Sequence, residues 1–142
     1  MNTTRSRVPI TTLPLREFQA LARFRRSLRT FLHFSEQAAR QAGLTPSQHQ
    51  LLLMVKGFDE GQPSVGDAAD WLGLRHHSAV ELVDRAVSAG LLQREADPVD
   101  ARRQLLRLTG LGEAKLTALS ALHRDELRRF RTEVLAQLDE LG

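Results

Sequence analysis

The sequence predicts a mainly α-helical fold in which one short β hairpin interrupts the helices. Long stretches near both ends carry apolar residues every three or four positions, as in amphipathic helices. Between them, two short segments with the same periodicity are separated by Gly73. Two runs rich in leucine then follow Gly90, joined by a polar segment that contains proline, which is typical of a hairpin. We therefore expect helices, a helix-turn-helix and a hairpin, in that order.

Composition limits the class of protein. The chain has 142 residues, of which 42% are hydrophobic and 26% charged, as expected for one globular domain. It contains no cysteine, which excludes disulfides, thiolate zinc sites and a cysteine redox switch. No apolar run is long enough for a membrane span, and the first residues lack the apolar core of a signal peptide. We expect a protein of the cytoplasm.

The N-terminal part divides into an arm and a long helix. Residues 1–14 contain Pro9 and Pro14 without periodicity, which indicates a flexible or docking arm. Residues 15–43 predict a helix whose apolar side chains cover more than one stripe. One face would then pack on its own domain and another on a second chain. The alternative is a helix buried within a monomer. The apolar positions are Phe18, Leu21, Phe24, Leu28, Phe31, Leu32 and Phe34.

The next segments predict a helix-turn-helix. Thr45, Pro46 and Gln48 form the pattern of a capping box that starts a helix. Ser64 can cap a short helix that ends at Gly73. A further helix spans Arg75–Ala89 and ends at Gly90, which suits a C-terminal cap. Two short helices around a turn with glycine make a helix-turn-helix.

Trp71 lies on the first helix of this pair. Its large apolar ring suits either the core or the phosphate backbone of a bound nucleic acid, and we expect the core.

Two short strands and a second long helix complete the chain. Residues 91–95 and 104–108 read as strands, and residues 96–103 as the loop between them. Thr109 can cap a helix over residues 110–142, and a break near Phe130 is left open. A helix-turn-helix followed by a hairpin defines a winged helix-turn-helix, here with a wing of two or three strands. Its lobe would span residues 44–109.

Residues of the second helix and of the wing could contact DNA. The second helix of such a pair fits the major groove, where base edges are distinguishable. An arginine at a hairpin tip can enter a narrow minor groove, and Arg102 is the best candidate for that tip, with Arg103 second. The alternative is an ordinary solvated helix face. The candidates are Arg75, His76, His77, Ser78, Glu81, Arg85, Arg94, Asp100, Arg102 and Arg103.

The charge is compatible with double-stranded DNA as the partner. The net charge is only +3, but lysine occurs just at Lys56 and Lys115, so arginine supplies nearly all the cations. Arginine favours bidentate contacts with phosphate and guanine.

This stretch resembles the MarR family, the multiple-antibiotic-resistance regulators. The resemblance rests on Leu82-Val83-Asp84-Arg85, Ala89-Gly90-Leu91-Leu92, Arg94, Asp97-Pro98, Asp100-x-Arg102 and Leu108-Thr109-x-x-Gly112. It extends upstream to Leu44-Thr45-Pro46-Ser47-Gln48 and covers nearly the whole chain.

What the resemblance implies is a homodimer joined through residues 15–43 and 110–142. Each lobe would read half of a palindromic operator, often under control of a small molecule. Asp100 and Arg102 match the wing residues that set hairpin geometry and contact the minor groove in that family. Glu81 and the His76-His77 pair depart from the common pattern, so base preference cannot be carried over.

Other functions find less support. The five histidines lack the His-Glu-x-x-His spacing of a metal helix, and the glycines at 110 and 112 lack the lysine of a phosphate loop. We expect no enzyme, metal or cofactor. A winged-helix module that docks proteins and has lost DNA binding is the main alternative. If an effector exists, we expect it in the cleft between the long helices and the lobe, near Phe31, Phe34 and His49.

Overall fold

The computed structural model describes residues 12–142, so most of the predicted arm, residues 1–14, lies outside the described residues. The described chain forms five helices and one two-stranded sheet. The elements are α1 (Leu15–Gln41), α2 (Pro46–Gly57), α3 (Val65–Leu72), α4 (His76–Ser88), β1 (Leu92–Ala96), β2 (Gln104–Leu108) and α5 (Gly110–Asp139). This is the predicted winged helix-turn-helix flanked by two long helices.

The long helices α1 and α5 pack against each other and carry the lobe at one end. Thr109 caps α5, since its Oγ1 accepts a hydrogen bond from the Gly112 amide at 3.1 Å. α5 then continues through Phe130 without the break that the sequence left open. Neither proline nor glycine follows Gly112 before the end of the helix, so nothing in the backbone interrupts it.

Two capping boxes fix the starts of α2 and α3. Thr45 Oγ1 accepts from the Gln48 amide at 3.1 Å, and Gln48 Oε1 accepts from the Thr45 amide at 3.0 Å. Ser64 and Asp67 exchange the same pair of bonds at the start of α3. These bonds satisfy amides that a helix leaves free at its N-terminus.

Glycines with positive φ end the two helices of the helix-turn-helix. Gly73 has φ of 65°, and the Leu74 amide returns to the Ala69 carbonyl at 2.9 Å. Gly90 has φ of 74°, and the Leu91 amide likewise bonds to Ala86 at 2.9 Å. Because that amide still closes α4, β1 starts at Leu92, one residue later than predicted.

The wing is a two-stranded antiparallel hairpin. Its register pairs Leu92 with Leu108 and Ala96 with Gln104. The chain before α3 adds a single bridge between Ser64 and Leu105 and does not form a third strand. This bridge anchors the wing to the start of α3.

One hydrophobic core joins the lobe to the long helices. Its largest fully buried side chains come from α2, α4, the wing and α5. They are Leu51, Leu52, Val83, Leu91, Leu92, Leu106 and Leu119.

Gly112 allows the first turn of α5 to touch the chain that enters the wing. A Cβ atom at this position would lie 2.2 Å from the Leu91 carbonyl oxygen, far inside contact distance. Close packing therefore requires glycine at position 112, while a Cβ at Gly110 would meet nothing within 4 Å.

The expectation that Trp71 packs in the core is wrong. The residue is 61% exposed and contacts only the edge of Phe58 among aromatic rings, with ring centroids 6.0 Å apart. Ala68 and Ala69, rather than Trp71, form the buried side of α3. No helix within residues 12–142 is long and apolar enough to cross a membrane.

Candidate nucleic-acid interface

Helix α4 presents a polar face to solvent while its other side belongs to the core. Ala79, Val83 and Ala86 are buried. Among the predicted contact residues, Arg75 is the N-cap of α4, one residue before its first turn. The outward face of α4 consists of His76, His77, Glu81 and Arg85, all exposed, and of Ser78, which is partly buried.

A groove of about 480 Å³ separates α4 from the wing. Its walls include His76 on α4, Arg94 on β1, and Arg102 and Arg103 on the loop. The start of α3 forms its floor. The fold thus brings together residues that lie far apart in the sequence.

A second groove, of about 330 Å³, lies on the opposite side of α4. Ser78, Glu81 and Arg85 line it together with Ser47 and Gln48 at the start of α2. Helix α4 is therefore a ridge with a depression on each side. Such a ridge is the shape that a helix needs to enter the major groove of DNA.

The wing tip is organised around Asp100. Asp100 Oδ1 accepts hydrogen bonds from the Arg102 amide at 3.0 Å and from Arg102 Nε at 3.2 Å. The hydrogen bond from the Arg102 amide, followed by that from its side chain, lowers the pKa of Asp100 below its ordinary value. The Arg102 side chain remains 92% exposed, so its terminal nitrogens point into solvent.

Arg94 and Arg103 are engaged with acidic residues of neighbouring elements. Arg94 on β1 pairs with Asp84 on α4. Arg103 reaches Asp67 on α3 at 3.3 Å and Asp97 in the loop at 3.9 Å. These pairs connect the wing to both helices of the helix-turn-helix, which suits a positioning role better than contact with DNA.

Arg75 and Arg85 differ from the wing arginines in their partners. Within residues 12–142, Arg75 and Arg85 form no ion pair, although both are exposed. Together with Arg102 they place cations at the start of α4, in its last turn and at the wing tip. This spacing offers several points for phosphate contact.

A separate cavity of about 710 Å³ opens between α1, α2 and α5. Phe31 and His49, two of the three predicted ligand-binding residues, line it. Phe34 packs against the core instead, with its ring edge on His123 at a centroid distance of 5.6 Å. The wall also includes Ser35, His123, Leu127 and three arginines of α5, namely Arg124, Arg128 and Arg131.

The sequence did not predict the acidic partners of the wing arginines or the second histidine of the cavity. Asp67 and Asp84 were not predicted to hold the wing, because only the fold brings them within reach of Arg103 and Arg94. His123 lies 74 residues beyond His49 in the sequence, yet their ring centroids are 4.8 Å apart. Nothing in the spacing of α5 alone marks His123 as part of a cavity. In the described part of the chain, no group of three His, Asp or Glu side chains could hold a metal ion.

Comparisons with known proteins find the same fold. A crystal structure of a MarR family transcription regulator superposes with a TM-score of 0.69 and 25% identity, over 80% of this chain and 74% of the other. AbsC, a MarR family transcriptional regulator from Streptomyces coelicolor, superposes with a TM-score of 0.71 and 20% identity, over 92% of each chain. A MepR mutant from S. aureus, bound to an oligodeoxyribonucleotide, gives a TM-score of 0.69 and 18% identity, over 88% of this chain and 98% of that one.

The sequence was also compared with curated proteins and with models of protein families. No curated protein matches the sequence. However, the model of the MarR family matches residues 42–103, which include the helix-turn-helix, β1 and the wing loop. The lobe is therefore similar in sequence to the MarR family, and most of the chain shares the fold of solved MarR family regulators.

Proposed function

We propose that this protein is a sequence-specific DNA-binding transcription regulator that acts as a homodimeric repressor on a palindromic operator. Two lobes related by twofold symmetry would place their α4 helices in successive major grooves, about 34 Å apart. Phosphate contacts from Arg75 and Arg85 would set the register, and the outward face of α4 would read bases. Arg102 would enter the adjacent minor groove. Repression follows if the bound dimer blocks access to a promoter.

The observation that carries the proposal is the shape and charge of the interface. Helix α4 protrudes between two grooves, and an arginine with 92% of its side chain exposed stands at the tip of the neighbouring wing. Arg75 and Arg85, which form no ion pair within residues 12–142, add exposed positive charge to this ridge, and a protein-docking module does not require it. A relative of the same fold, MepR from S. aureus, has been crystallised with an oligodeoxyribonucleotide.

Selection of genomic fragments tests the proposal. The purified protein is incubated with sheared genomic DNA, and bound duplexes are recovered and sequenced. We expect enrichment of a sequence with inverted repeats, and repression of a reporter gene placed behind it. Fragments that bind no tighter than bulk DNA would contradict the proposal and favour a docking module.

A small molecule could release the protein from DNA through the cavity between α1, α2 and α5. Release requires that the compound bind the DNA-competent and incompetent arrangements of the lobes with different affinities. Phe31 and His49 would contact it, and Phe34 would support the wall from behind.

A cavity-filling variant tests this part of the proposal. A compound that acts there raises the melting temperature and weakens DNA binding in the wild type. Leu127→Trp, which places a larger ring at the cavity wall, should remove both effects. Release that is unchanged in this variant would place the effector elsewhere.

A further inference from the structure

The contact between the lobe and the long helices contains two histidines whose rings meet at an interplanar angle of 49°. His49 on α2 and His123 on α5 have ring centroids 4.8 Å apart, and they are only 5% and 9% exposed. The other three histidines, His33, His76 and His77, are exposed. His49 and His123 are therefore the buried histidines of the chain, and they meet where the lobe joins the long helices.

The hydrogen bonds of His123 define which nitrogen carries the proton. Its Nδ1 lies 2.7 Å from the Leu119 carbonyl oxygen, and since a carbonyl only accepts, Nδ1–H donates to it. Its Nε2 lies 2.8 Å from Ser35 Oγ on α1. In the neutral ring Nε2 accepts from the Ser35 hydroxyl. A second proton on His123 would reverse this bond, because Nε2 would then have to donate to Ser35.

The surroundings of the pair disfavour added positive charge. On α1 the neighbours are Ser35 and the rings of Phe31 and Phe34, none of which is charged. On α2, His49 forms no hydrogen bond through its ring to another described residue. The charged neighbours are all on α5. They are Arg124, Arg128 and Arg131, which line the same cavity, and Glu126, whose carboxylate pairs with Arg129.

The surroundings of His49 favour its neutral form. Burial, followed by the charge of His123, lowers the pKa of His49 below its ordinary value of 6.5. Two imidazolium rings in this contact would also repel each other. Acidification must therefore either leave the pair neutral at a cost in free energy or separate the rings.

We propose that the contact between the His49 and His123 rings is a proton-sensitive contact between the lobe and the long helices, and that acidification loosens it and weakens DNA binding. A shift of α2 relative to α5 changes the position of the lobe, and with it the distance between two α4 helices in a dimer. The effect on DNA rests on the proposed function, whereas the effect on stability does not.

The sign of the stability change follows from linkage. The unfolded chain takes up a proton on His49 near its ordinary pKa of 6.5, while the folded chain resists it. The free energy of unfolding should therefore fall as the pH drops below about 6.5, until the folded ring is itself protonated. His49→Gln should flatten this dependence between pH 7.5 and 5.5, and the matched control His33→Gln, on an exposed site of α1, should leave it unchanged.

Three measurements decide between outcomes. The melting temperature is followed from pH 7.5 to 5.5 in the wild type, His49→Gln, His123→Gln and His33→Gln. The imidazole resonances of the wild type are titrated by NMR, and we expect the pKa of His49 to lie below its ordinary value of 6.5. The DNA affinities of the wild type and of His49→Gln are measured at each pH. Their ratio is compared between pH values, so that contributions from His76 and His77, which both proteins contain, cancel. We expect the wild type to lose affinity about tenfold relative to the variant, within the usual range of allosteric coupling.

Each result has a distinct meaning. A His49 pKa at or above its ordinary value of 6.5, or parallel pH profiles of stability in wild type and both buried-site variants, overturns the proposal. A constant DNA-binding ratio overturns its link to DNA. If both variants fail to fold, the NMR titration of the wild type still decides. Absence of DNA binding at pH 7.5 would contradict the proposed function alone, because stability and NMR report on the histidine pair without DNA.

Discussion

Arg102 combines two properties that the other wing arginines lack. Its amide and Nε are held by Asp100, which fixes the direction of the side chain, while 92% of that side chain stays in solvent. Arg94 and Arg103 are 26% and 48% exposed and are tied to neighbouring helices. A preorganised, exposed guanidinium is suited to the minor groove because little freedom is lost when it binds.

Replacement of Arg102 by alanine tests this assignment. We expect operator affinity to fall about tenfold, since a desolvated arginine contact contributes on the order of 1–3 kcal/mol. The melting temperature should change little, because the side chain buries almost no surface. Binding is measured by fluorescence anisotropy with a labelled duplex. The control Arg29→Ala removes an exposed arginine of α1, remote from the wing; equal losses in both variants would mean that only overall charge matters.

The packing around Gly112 leaves no room for a side chain. Gly112→Ala should lower the free energy of unfolding by about 1–3 kcal/mol, because its Cβ would meet the Leu91 backbone oxygen, which cannot rotate away. Urea denaturation measures the change. Gly57→Ala is the matched control, since a Cβ there meets nothing within 4 Å and the backbone φ is not in the left-handed region. A Gly112→Ala protein as stable as the control would contradict the tight contact.

For helices and strands, short sequence patterns predicted the features that depend on residues close in the sequence, such as helix caps and strand bounds. The capping box of Thr45 and Gln48 and the glycine ends of α3 and α4 were predicted from sequence and are confirmed. The second strand, Gln104–Leu108, has the predicted bounds. Contacts across the fold were not predictable in this way: the exposure of Trp71 depends on which face of α3 the lobe covers.

The ion pair between Arg94 on β1 and Asp84 on α4 fixes the position of the wing relative to that helix. Asp84→Asn should weaken the hold on Arg94 and let the wing move relative to the helix. We expect DNA affinity to drop several-fold, with a stability loss below about 1 kcal/mol because Asp84 is largely exposed. The double variant Asp84→Asn with Arg94→Gln should bind DNA about as well as either single variant. Additive losses would show that the two residues act independently, and would favour direct DNA contact by Arg94.

For the whole molecule, the long helices leave large apolar side chains in solvent in a single chain. On α1 these include Leu15, Phe18 and Leu21, and on α5 Leu135 and Leu138, all between 43% and 72% exposed. Large apolar side chains left exposed along two packed helices are typical of an interface. A second copy of the chain would bury these side chains and would hold two lobes at a fixed distance.

Disruption of this face should give monomers. The double variant Leu135→Glu and Leu138→Glu places two carboxylates on α5 where we propose the dimer contact. Light scattering coupled to size exclusion should show half the wild-type mass, and operator binding should fall by more than tenfold. Val99→Glu is the control for oligomeric state, because Val99 is 94% exposed at the wing, away from the long helices. A double variant that remains dimeric would place the interface elsewhere.

Two winged-helix lobes that read one specific duplex should bind it with a characteristic dependence on salt concentration. The selected genomic duplex and a scrambled duplex of equal length are titrated at several salt concentrations. We predict a steep negative slope of log affinity against log salt, from released counterions, and tighter binding of the selected duplex throughout. Weak, salt-insensitive binding without preference between the two duplexes would show that the lobes do not recognise a specific DNA sequence.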